Sequence, residues 1–238
     1  MLTANILRAL ACLFMLSDHL WATVIPGNMW MTYVGRLAFP IFAFLIAEGY
    51  THTSDCRAYM KRLLLFALIS EIPFNLMYSS SAVFPFYQNV LFTLLLGLCS
   101  IQAIDRAWEH PDAKSVFTAG LIVFACILGG MFGFTDYGHW GVLTVIGFFV
   151  SRKLPFSHLL QLVLLIYINC FALKGLTIPV QLFGATIEFA TQGFAVLSLL
   201  PIWLYSGQKG HSCKILQYGF YAFYPAHMLV LSLIRLLI

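Results

Sequence analysis

Long apolar segments recur along almost the whole chain, and this repetition limits the possible folds more than any other feature. A transmembrane helix needs about 20 mostly apolar residues. Only 9% of the 238 residues are charged and 61% are hydrophobic, whereas a soluble domain has about 25% charged residues. The sequence therefore predicts an all-α polytopic membrane bundle of about nine helices (roughly eight to ten) in one domain, residues 1–238. The predicted helices lie near residues 4–24, 30–50, 59–78, 86–107, 115–133, 139–151, 156–173, 178–205 and 214–237.

The distribution of lysine and arginine predicts how the helices are oriented. Cytoplasmic connections of membrane proteins carry an excess of these residues. Here they follow the even-numbered segments, and the connections after the odd-numbered segments hold only Lys174. The N-terminus is therefore predicted to be cytoplasmic and the C-terminus to lie outside. The basic residues concerned are Arg57, Lys61, Arg62, Arg106, Lys114, Arg152, Lys153, Lys209 and Lys214.

Several ionisable side chains nevertheless lie inside the apolar segments. Each one costs about 2.5 kcal/mol or more at the centre of a bilayer unless it is paired or faces water, so such residues usually mark a functional site. The eighth segment contains Glu188, and we expect that segment to be broken or tilted. The other ionisable residues of this group are Arg8, Asp18, His19, Arg36, Glu48, Glu71 and His227.

With the predicted orientation, polar residues from six separate segments fall in the outer half of the membrane. A random distribution would have placed them in both halves. The sequence therefore predicts one polar pocket near the outer surface. Its predicted members are Asp18, His19, Arg36, Glu71, Asn75, Asn89, Tyr137, His139 and His227.

His19 is the predicted catalytic residue of this pocket. An imidazole titrates near neutral pH and can act as a general base, and a neighbouring carboxylate can orient it. Adjacent helical residues point about 100° apart, however, so Asp18 either supports His19 or pairs with Arg36 on another segment. Three roles remain open for His227, namely a second base, a residue that orients His19, and a contact to substrate.

The inner half of the first segment contains a cation on nearly the same face as His19. Arg8 and His19 are eleven residues apart, which is close to three turns and about 16 Å along a helix. One helix face thus connects a cytoplasmic cation with an outer imidazole. The sequence contains no phosphate-binding loop and no HExxH motif, and its cysteines form no CxxC pair, so no metal site is predicted. The net charge of +4 predicts no nucleic-acid partner, because the basic residues are explained by the orientation of the helices.

Six sequence blocks, in order along nearly the whole chain, resemble the TraX family of membrane proteins. The blocks are LFMLSDHLW, VGRLAFPIFAFLIAEGY, FALISEIPFNL, QNVLFTLLLG, DYGHWGVLTV and FYAFYPAHMLVLSL. The family is known for N-acetylation of the N-terminal residue of F-type pilin, and it is similar to a wider group of transmembrane acyltransferases. In that group the donor is a cytosolic acyl-CoA and a histidine in the first helix is the catalytic candidate.

The resemblance implies that this protein is an acetyl-CoA-dependent N-acetyltransferase of the bacterial inner membrane. His19, with Asp18 beside it, takes the catalytic position, and His227 matches the histidine near the family's C-terminus. Arg36 and Asn75 are candidates for stabilising the oxyanion. The expected donor is acetyl-CoA, without a metal, and its phosphates are expected to meet Arg8, Arg57, Lys61 and Arg62.

The residues leave several alternatives open. The acceptor is a pilin amine by resemblance, but another envelope amine or a sugar hydroxyl suits the same side chains. His19 acts either as a base or as a transiently acetylated nucleophile. A proton-coupled transporter is a different class that also places charges in the membrane, and a non-catalytic pilus assembly factor is a third.

Overall fold

The structure, a computed structural model, is mostly helical, and it describes residues 1–173, 175–182, 184–211 and 213–237. Lys174, which entered the prediction of orientation, lies outside these residues. The helices are α1 Ala4–Thr23, α2 Met29–Gly35, α3 Ala38–Thr51, α4 Cys56–Ser79, α5 Val90–Glu109, α6 Ala113–Phe132, α7 Gly138–Ser151, α8 Ser157–Ile166, α9 Leu199–Trp203 and α10 Lys214–Leu237. A π-helix, Tyr167–Ala172, continues α8, and a 3-10 helix, Thr191–Ser198, precedes α9.

Four of the long helices begin at a side chain that accepts a hydrogen bond from the first turn. Thr3 accepts from Ile6, Asp55 from Ala58, Asn89 from Leu91 and Asp112 from Ser115, in each case from the backbone N–H. Such N-caps satisfy donors that a helix leaves unpaired, and each is worth about 1 kcal/mol. The starts of α1, α4, α5 and α6 therefore follow from the local sequence.

The second predicted segment, residues 30–50, forms two helices instead of one. α2 and α3 are separated by a short break at Arg36 and Leu37, and together they cover Met29–Thr51. The break falls at Arg36, one of the two ionisable residues singled out in this segment, the other being Glu48. Arg36 thus lies at the junction of the two helices.

The prediction of a helix over residues 178–205 is wrong in its first half. Strands β1, Thr177–Leu182, and β2, Ala185–Ala190, form an antiparallel hairpin in which Pro179 is opposite Glu188. β-branched residues favour strands, and an apolar run by itself does not distinguish a strand from a helix. Among the described residues of this region, the helical part is Thr191–Trp203, so the fold is not purely α-helical.

Large apolar side chains cover the outer surface of the bundle, and they indicate that lipid surrounds this surface. Leu68 of α4 is 57% exposed, Phe117 and Phe124 of α6 are 68% and 60% exposed, and Leu233 of α10 is 52% exposed. A soluble protein rarely exposes an apolar surface of this extent. The protein is therefore a helical membrane protein.

The helices differ in whether they are long and apolar enough to cross a membrane. Within the described residues, five helical segments are long and apolar enough to cross a bilayer, and three further apolar helices are shorter. The five are Ala4–Thr23, Met29–Thr51, Val90–Glu109, Ala113–Phe132 and Ile215–Leu237. The count of nine spans and the cytoplasmic N-terminus stay predictions.

The first and last helices are neighbours in the bundle. α1 packs against α2, α3 and α10, and α10 packs against α4. One continuous cluster of buried apolar side chains includes Leu7 of α1, Ile41 of α3, Leu98 of α5 and Met228 of α10. The centre of the bundle is therefore built by elements from both ends of the chain.

The connections that follow the even-numbered predicted segments, which carry most of the lysines and arginines, gather at one end of the bundle. We call this end the basic end. There Arg152 forms an ion pair of 2.6 Å with Glu48, and Lys153 forms one of 2.8 Å with Asp105. Leu2, just before α1, pairs with Tyr205 at the same end. Gln88, just before α5, pairs with Thr135, just before α7. Both belong to connections that follow odd-numbered predicted segments, and we call their side of the bundle the opposite end.

Because the two ends of the bundle carry different connections, chemical labelling of each end tests how the protein is oriented in the membrane. Cys213 is exposed at the basic end, and Val83 is 74% exposed in the connection before α5. In a variant whose only cysteine is Cys213, we expect a membrane-impermeant maleimide to label the protein only after the membrane is opened.

The matched control keeps no native cysteine and carries Val83→Cys, which we expect to be labelled in intact cells. The opposite labelling pattern would show that the N-terminus lies outside and would reverse the prediction.

Candidate active site

The buried centre of the site is a hydrogen bond between the first and last helices. His19 Nδ1 lies 2.7 Å from His227 Nε2, and both residues are 7% exposed. The two rings are nearly parallel, at 11°, with centres 4.9 Å apart. Because the nitrogens are much closer than the ring centres, the imidazoles meet edge to edge. The structure thus brings together two residues that are 208 positions apart in the sequence.

Asp18 contacts Thr32 of α2 and Arg36, the residue after that helix, and not the imidazole of His19. Its Oδ1 accepts a hydrogen bond of 2.6 Å from the Thr32 hydroxyl and lies 3.3 Å from Arg36 Nη2. Gly35 permits this approach, since a Cβ at that position would lie 2.3 Å from the Asp18 Cβ. Of the alternatives left open for Asp18, the structure thus shows the pairing with Arg36 and not direct support of His19, because the guanidinium provides Asp18 with a charged partner.

Arg36 extends the polar network toward the 3-10 helix. Its Nη2 donates to the Thr32 hydroxyl at 2.8 Å, and its Nη1 lies 3.5 Å from Gln192 Oε1. Gln192 Nε2 in turn donates to Asn169 Oδ1 at 3.0 Å. The Nε of Arg36 is buried and finds no partner among the residues that the structure describes, so this guanidinium retains a donor for a bound group.

Sequence reasoning missed Gln192 and Asn169. Both are buried, with exposures of 7% and 2%, and both lie within apolar segments. The search for ionisable residues passed over these uncharged amides. A polar amide inside an apolar segment was the available signal, since a buried amide needs hydrogen-bond partners.

The connection between α6 and α7 supplies a second carboxylate. Asp136 Oδ1 accepts from the Tyr87 hydroxyl at 2.9 Å and from the backbone N–H of Tyr137 at 3.0 Å. Its backbone carbonyl accepts from the Thr93 hydroxyl. Burial raises the pKa of the Asp136 carboxyl to about 6, although the hydrogen bond from Tyr87 opposes this shift. The backbone N–H of Asp136 also donates to the Gln88 carbonyl at 2.8 Å, so Asp136 is fixed by four residues.

Tyr137 and His139 were both predicted to belong to the pocket, and the structure gives them different surroundings. Tyr137 has a left-handed backbone, with φ of 62°, and its ring stacks on Phe39 with centres 3.8 Å apart. His139 is only partly buried and contacts the ring of its neighbour Trp140. Tyr137 is therefore part of the packed wall, whereas His139 has no recorded contact with the histidine pair in the described chain.

Glu71 and Asn75 lie one turn apart on α4, as predicted. Glu71 Oε2 accepts a hydrogen bond of 2.6 Å from Asn89, whose side chain also donates to the Ala67 carbonyl at 2.9 Å. Asn75 Nδ2 lies 3.5 Å from the Ala82 carbonyl. The remaining oxygens, Glu71 Oε1 and Asn75 Oδ1, are buried without a partner in the described residues. These two groups are available acceptors in the half of α4 that is nearer the opposite end of the bundle.

A cavity of about 680 Å³ opens at the basic end and extends between α1, α3, α4 and α10. Its deep wall includes Met15 of α1 and Tyr224 of α10. Met15 precedes His19 by four residues and Tyr224 precedes His227 by three, so each lies about one helical turn from the corresponding imidazole. The two histidines are not among the described residues that line the cavity, which ends just short of them.

Among the described residues, three cations line this cavity, namely Arg8, Arg62 and Lys209. Arg8 also lies over the Phe220 ring, 5.3 Å from its centre. Arg57 and Lys61, which were predicted to share the same site, are exposed and do not appear in the described lining. They lie four residues apart on one face of α4, whereas Arg62 is turned about 100° from Lys61. The structure therefore separates the four predicted cations into two pairs.

The carboxylates along the cavity have partners of their own. Glu48 is 6% exposed and lies 2.6 Å from Arg152 Nη1 and 2.8 Å from His52 Nε2. Asp55 caps α4 by accepting from the Ala58 N–H at 2.9 Å. Since these negative charges are engaged, the cations of the cavity favour an anionic ligand.

Comparison with known proteins identifies the family. A family profile described as TraX protein matches residues 3–235. A protein of Dichelobacter nodosus described as "Probable fimbrial assembly protein FimC, serogroup H1" is 28% identical over 242 residues, which cover 94% of this chain and 92% of that protein. No solved structure shows significant similarity. The family match extends over nearly the whole chain and confirms the resemblance carried by the six sequence blocks, so the chain belongs to the TraX family.

Proposed function

We propose that this protein is a membrane acetyltransferase that takes an acetyl group from cytoplasmic acetyl-CoA and transfers it to an amine arriving from the other side of the membrane. The single observation that carries the proposal is the position of the cavity. It starts at the basic end and stops one helical turn short of two hydrogen-bonded imidazoles. That geometry suits a soluble anionic donor on one side and a reactive centre toward the other.

The cavity has the properties that a CoA thioester requires. Its volume of about 680 Å³ falls within the range of roughly 300–1,000 Å³ that is usual for small-molecule sites. Arg8, Arg62 and Lys209 line it and match the charge of the phosphates. Apolar residues such as Leu63 and Leu94 line it as well, and they suit the extended part of the donor that leads to the thioester.

His19 is the proposed general base. Its Nδ1 is occupied by His227, so Nε2 is the nitrogen that receives the proton of the acceptor amine. The amine nitrogen attacks the thioester carbonyl carbon, the new C–N bond forms, the C–S bond breaks, and the proton passes from His19 to the leaving thiolate. The alternative, in which His19 Nε2 first carries the acetyl group, uses the same atoms in two steps.

Arg36 and the unpaired acceptors of α4 are proposed to contact the reacting groups. The free Nε–H of Arg36 suits the negative oxygen that develops on the carbonyl carbon, because a fixed donor stabilises that charge in the transition state. Glu71 Oε1 and Asn75 Oδ1 suit the N–H groups of an amine. Asp18 holds the Arg36 guanidinium in place through their 3.3 Å contact.

The acceptor is proposed to be the N-terminal amine of a pilin-type subunit, with the protein in the bacterial inner membrane. This proposal is supported by membership of the TraX family and by the similarity to a protein described as a probable fimbrial assembly protein. Another envelope amine or a sugar hydroxyl fits the same chemistry. A non-catalytic assembly factor is the second candidate, because the description of that relative refers to assembly and not to transfer.

Replacing the proposed base tests the reaction directly. In His19→Asn the amide nitrogen can still donate to His227, but no basic nitrogen remains for the acceptor. We expect the rate of transfer from labelled acetyl-CoA to fall by about 10²–10⁴-fold. His158→Ala, which removes an exposed histidine near the basic end, is the control and is expected to keep the wild-type rate. A wild-type rate in His19→Asn would exclude His19 as the base.

The cations of the cavity are expected to act on donor affinity. Arg8→Ala and Arg62→Ala each remove a charged donor to phosphate, worth about 1.5–3 kcal/mol, so the apparent KM for acetyl-CoA should rise at least about tenfold. The KM for the acceptor should change little. Lys114→Ala removes an exposed cation at the same end outside this cavity and serves as the control. An unchanged donor KM in both arginine variants would place the donor elsewhere.

A bulky residue at the deep end of the cavity should separate the donor from His19. Met15 is 7% exposed and lines the cavity, so Met15→Trp is expected to reduce transfer by about tenfold or more through overpacking and obstruction. Leu13→Trp changes an apolar residue of the same helix that is 60% exposed, and we expect near-normal transfer. Equal activity of the two variants, measured on folded protein, would argue against this route.

A further inference from the structure

We infer that His227 is a positioning residue that holds His19 in the tautomer whose Nδ1 carries hydrogen and whose Nε2 has a free lone pair. The assignment rests on the geometry of three groups in α1 and α10. Only its meaning for catalysis rests on the proposed function.

The first step concerns Nδ1 of His227, which is the ring nitrogen that does not face His19. Its Nδ1 lies 2.7 Å from the Phe223 backbone carbonyl. A carbonyl oxygen can only accept a hydrogen bond, so His227 Nδ1 must carry the hydrogen. In a neutral imidazole the other nitrogen then has no hydrogen. His227 Nε2 is therefore an acceptor.

The second step transfers this assignment to His19. His227 Nε2 lies 2.7 Å from His19 Nδ1, with the two rings 11° from parallel. A hydrogen bond between two ring nitrogens needs one donor and one acceptor. Since His227 Nε2 accepts, His19 Nδ1 must donate. The hydrogen of a neutral His19 is thus used, and His19 Nε2 is left basic.

The competing assignment places a positive charge on His227. An imidazolium at His227 would donate from both nitrogens, and His19 Nε2 would then carry the hydrogen. Among the described residues, neither imidazole has a carboxylate within hydrogen-bonding distance. The nearest aromatic neighbours are Tyr78, Tyr224 and Phe223. An unpaired charge in a bilayer is costly, so the surroundings favour the neutral pair.

The chain of three groups takes over a task that a carboxylate performs in many catalytic sites. There a third group orients the base through its second nitrogen and fixes its tautomer. Here that group is His227, which the Phe223 carbonyl orients in turn. Asp18 is engaged by Arg36 and Thr32 and is not needed for this purpose. The sequence neighbour of His19 is thus replaced in this role by a residue of the last helix.

The test reads the tautomer itself and does not depend on enzyme activity. The full-length protein is labelled with 15N-histidine, purified in detergent and studied by NMR, and the signals of His19 and His227 are assigned with His19→Asn and His227→Gln. Both residues are expected to show a protonated Nδ1 and an unprotonated Nε2. A wild-type His19 with a protonated Nε2 would overturn the inference.

Two variants of His227 separate positioning from packing. His227→Gln places an amide oxygen where Nε2 lies and can still accept from His19, so the tautomer is expected to persist. His227→Phe keeps a ring against Phe223 but accepts no hydrogen bond, and His19 is expected to shift toward the form with a protonated Nε2. An unchanged His19 tautomer in the folded His227→Phe protein would also overturn the inference.

Transfer assays add the catalytic readout. His227→Phe is expected to lower kcat for acetyl transfer by about 10²-fold or more with little change in the donor KM, whereas His227→Gln should remain within about tenfold of the wild type. A lost kcat in both variants, with the tautomer kept in His227→Gln, would contradict the positioning role. If the wild type transfers no acetyl group at all, the proposed function fails, while the NMR result still decides the tautomer.

Discussion

Ionisable groups inside a bilayer must be paired within the protein, and this constraint organises the whole site. In hydrocarbon an isolated charge or an unused hydrogen-bonding group costs several kcal/mol. The chain meets this requirement with contacts between helices that are distant in sequence. His19 pairs with His227 of α10, and Asp18 pairs with Arg36 between α2 and α3. The same contacts that remove the cost of burial fix the geometry of these polar groups.

Much of the fold could be predicted from the sequence because its signals are local or additive. The length of an apolar segment indicates a membrane helix. The N-caps at Thr3, Asp55 and Asp112 depend only on residues close by in the sequence. The hairpin over Thr177–Leu182 and Ala185–Ala190 could not be predicted in this way. Its residues are apolar enough for a membrane segment, and hydropathy contains no information on whether the backbone pairs with itself or with a neighbouring strand.

The members of the site were easier to predict than their partners. Charge in an apolar segment singled out His19, Arg36 and Glu71 without any knowledge of the fold. Which group each one meets depends on how the helices rotate and cross, and no sequence pattern specifies this. Two adjacent residues therefore have different partners, since Asp18 contacts α2 while His19 contacts α10. For the same reason Arg57 and Arg62, close in sequence, face different surroundings.

The histidine pair is divided between α1 and α10. His19 lies in α1, and His227 follows it 208 positions later in the sequence. A nascent chain that has inserted every helix except α10 has the first imidazole but not its partner, and the wall formed by α10 is also missing. Packing of α10 against α1 is therefore the event that creates the histidine pair, and a copy without α10 also lacks one wall of the cavity.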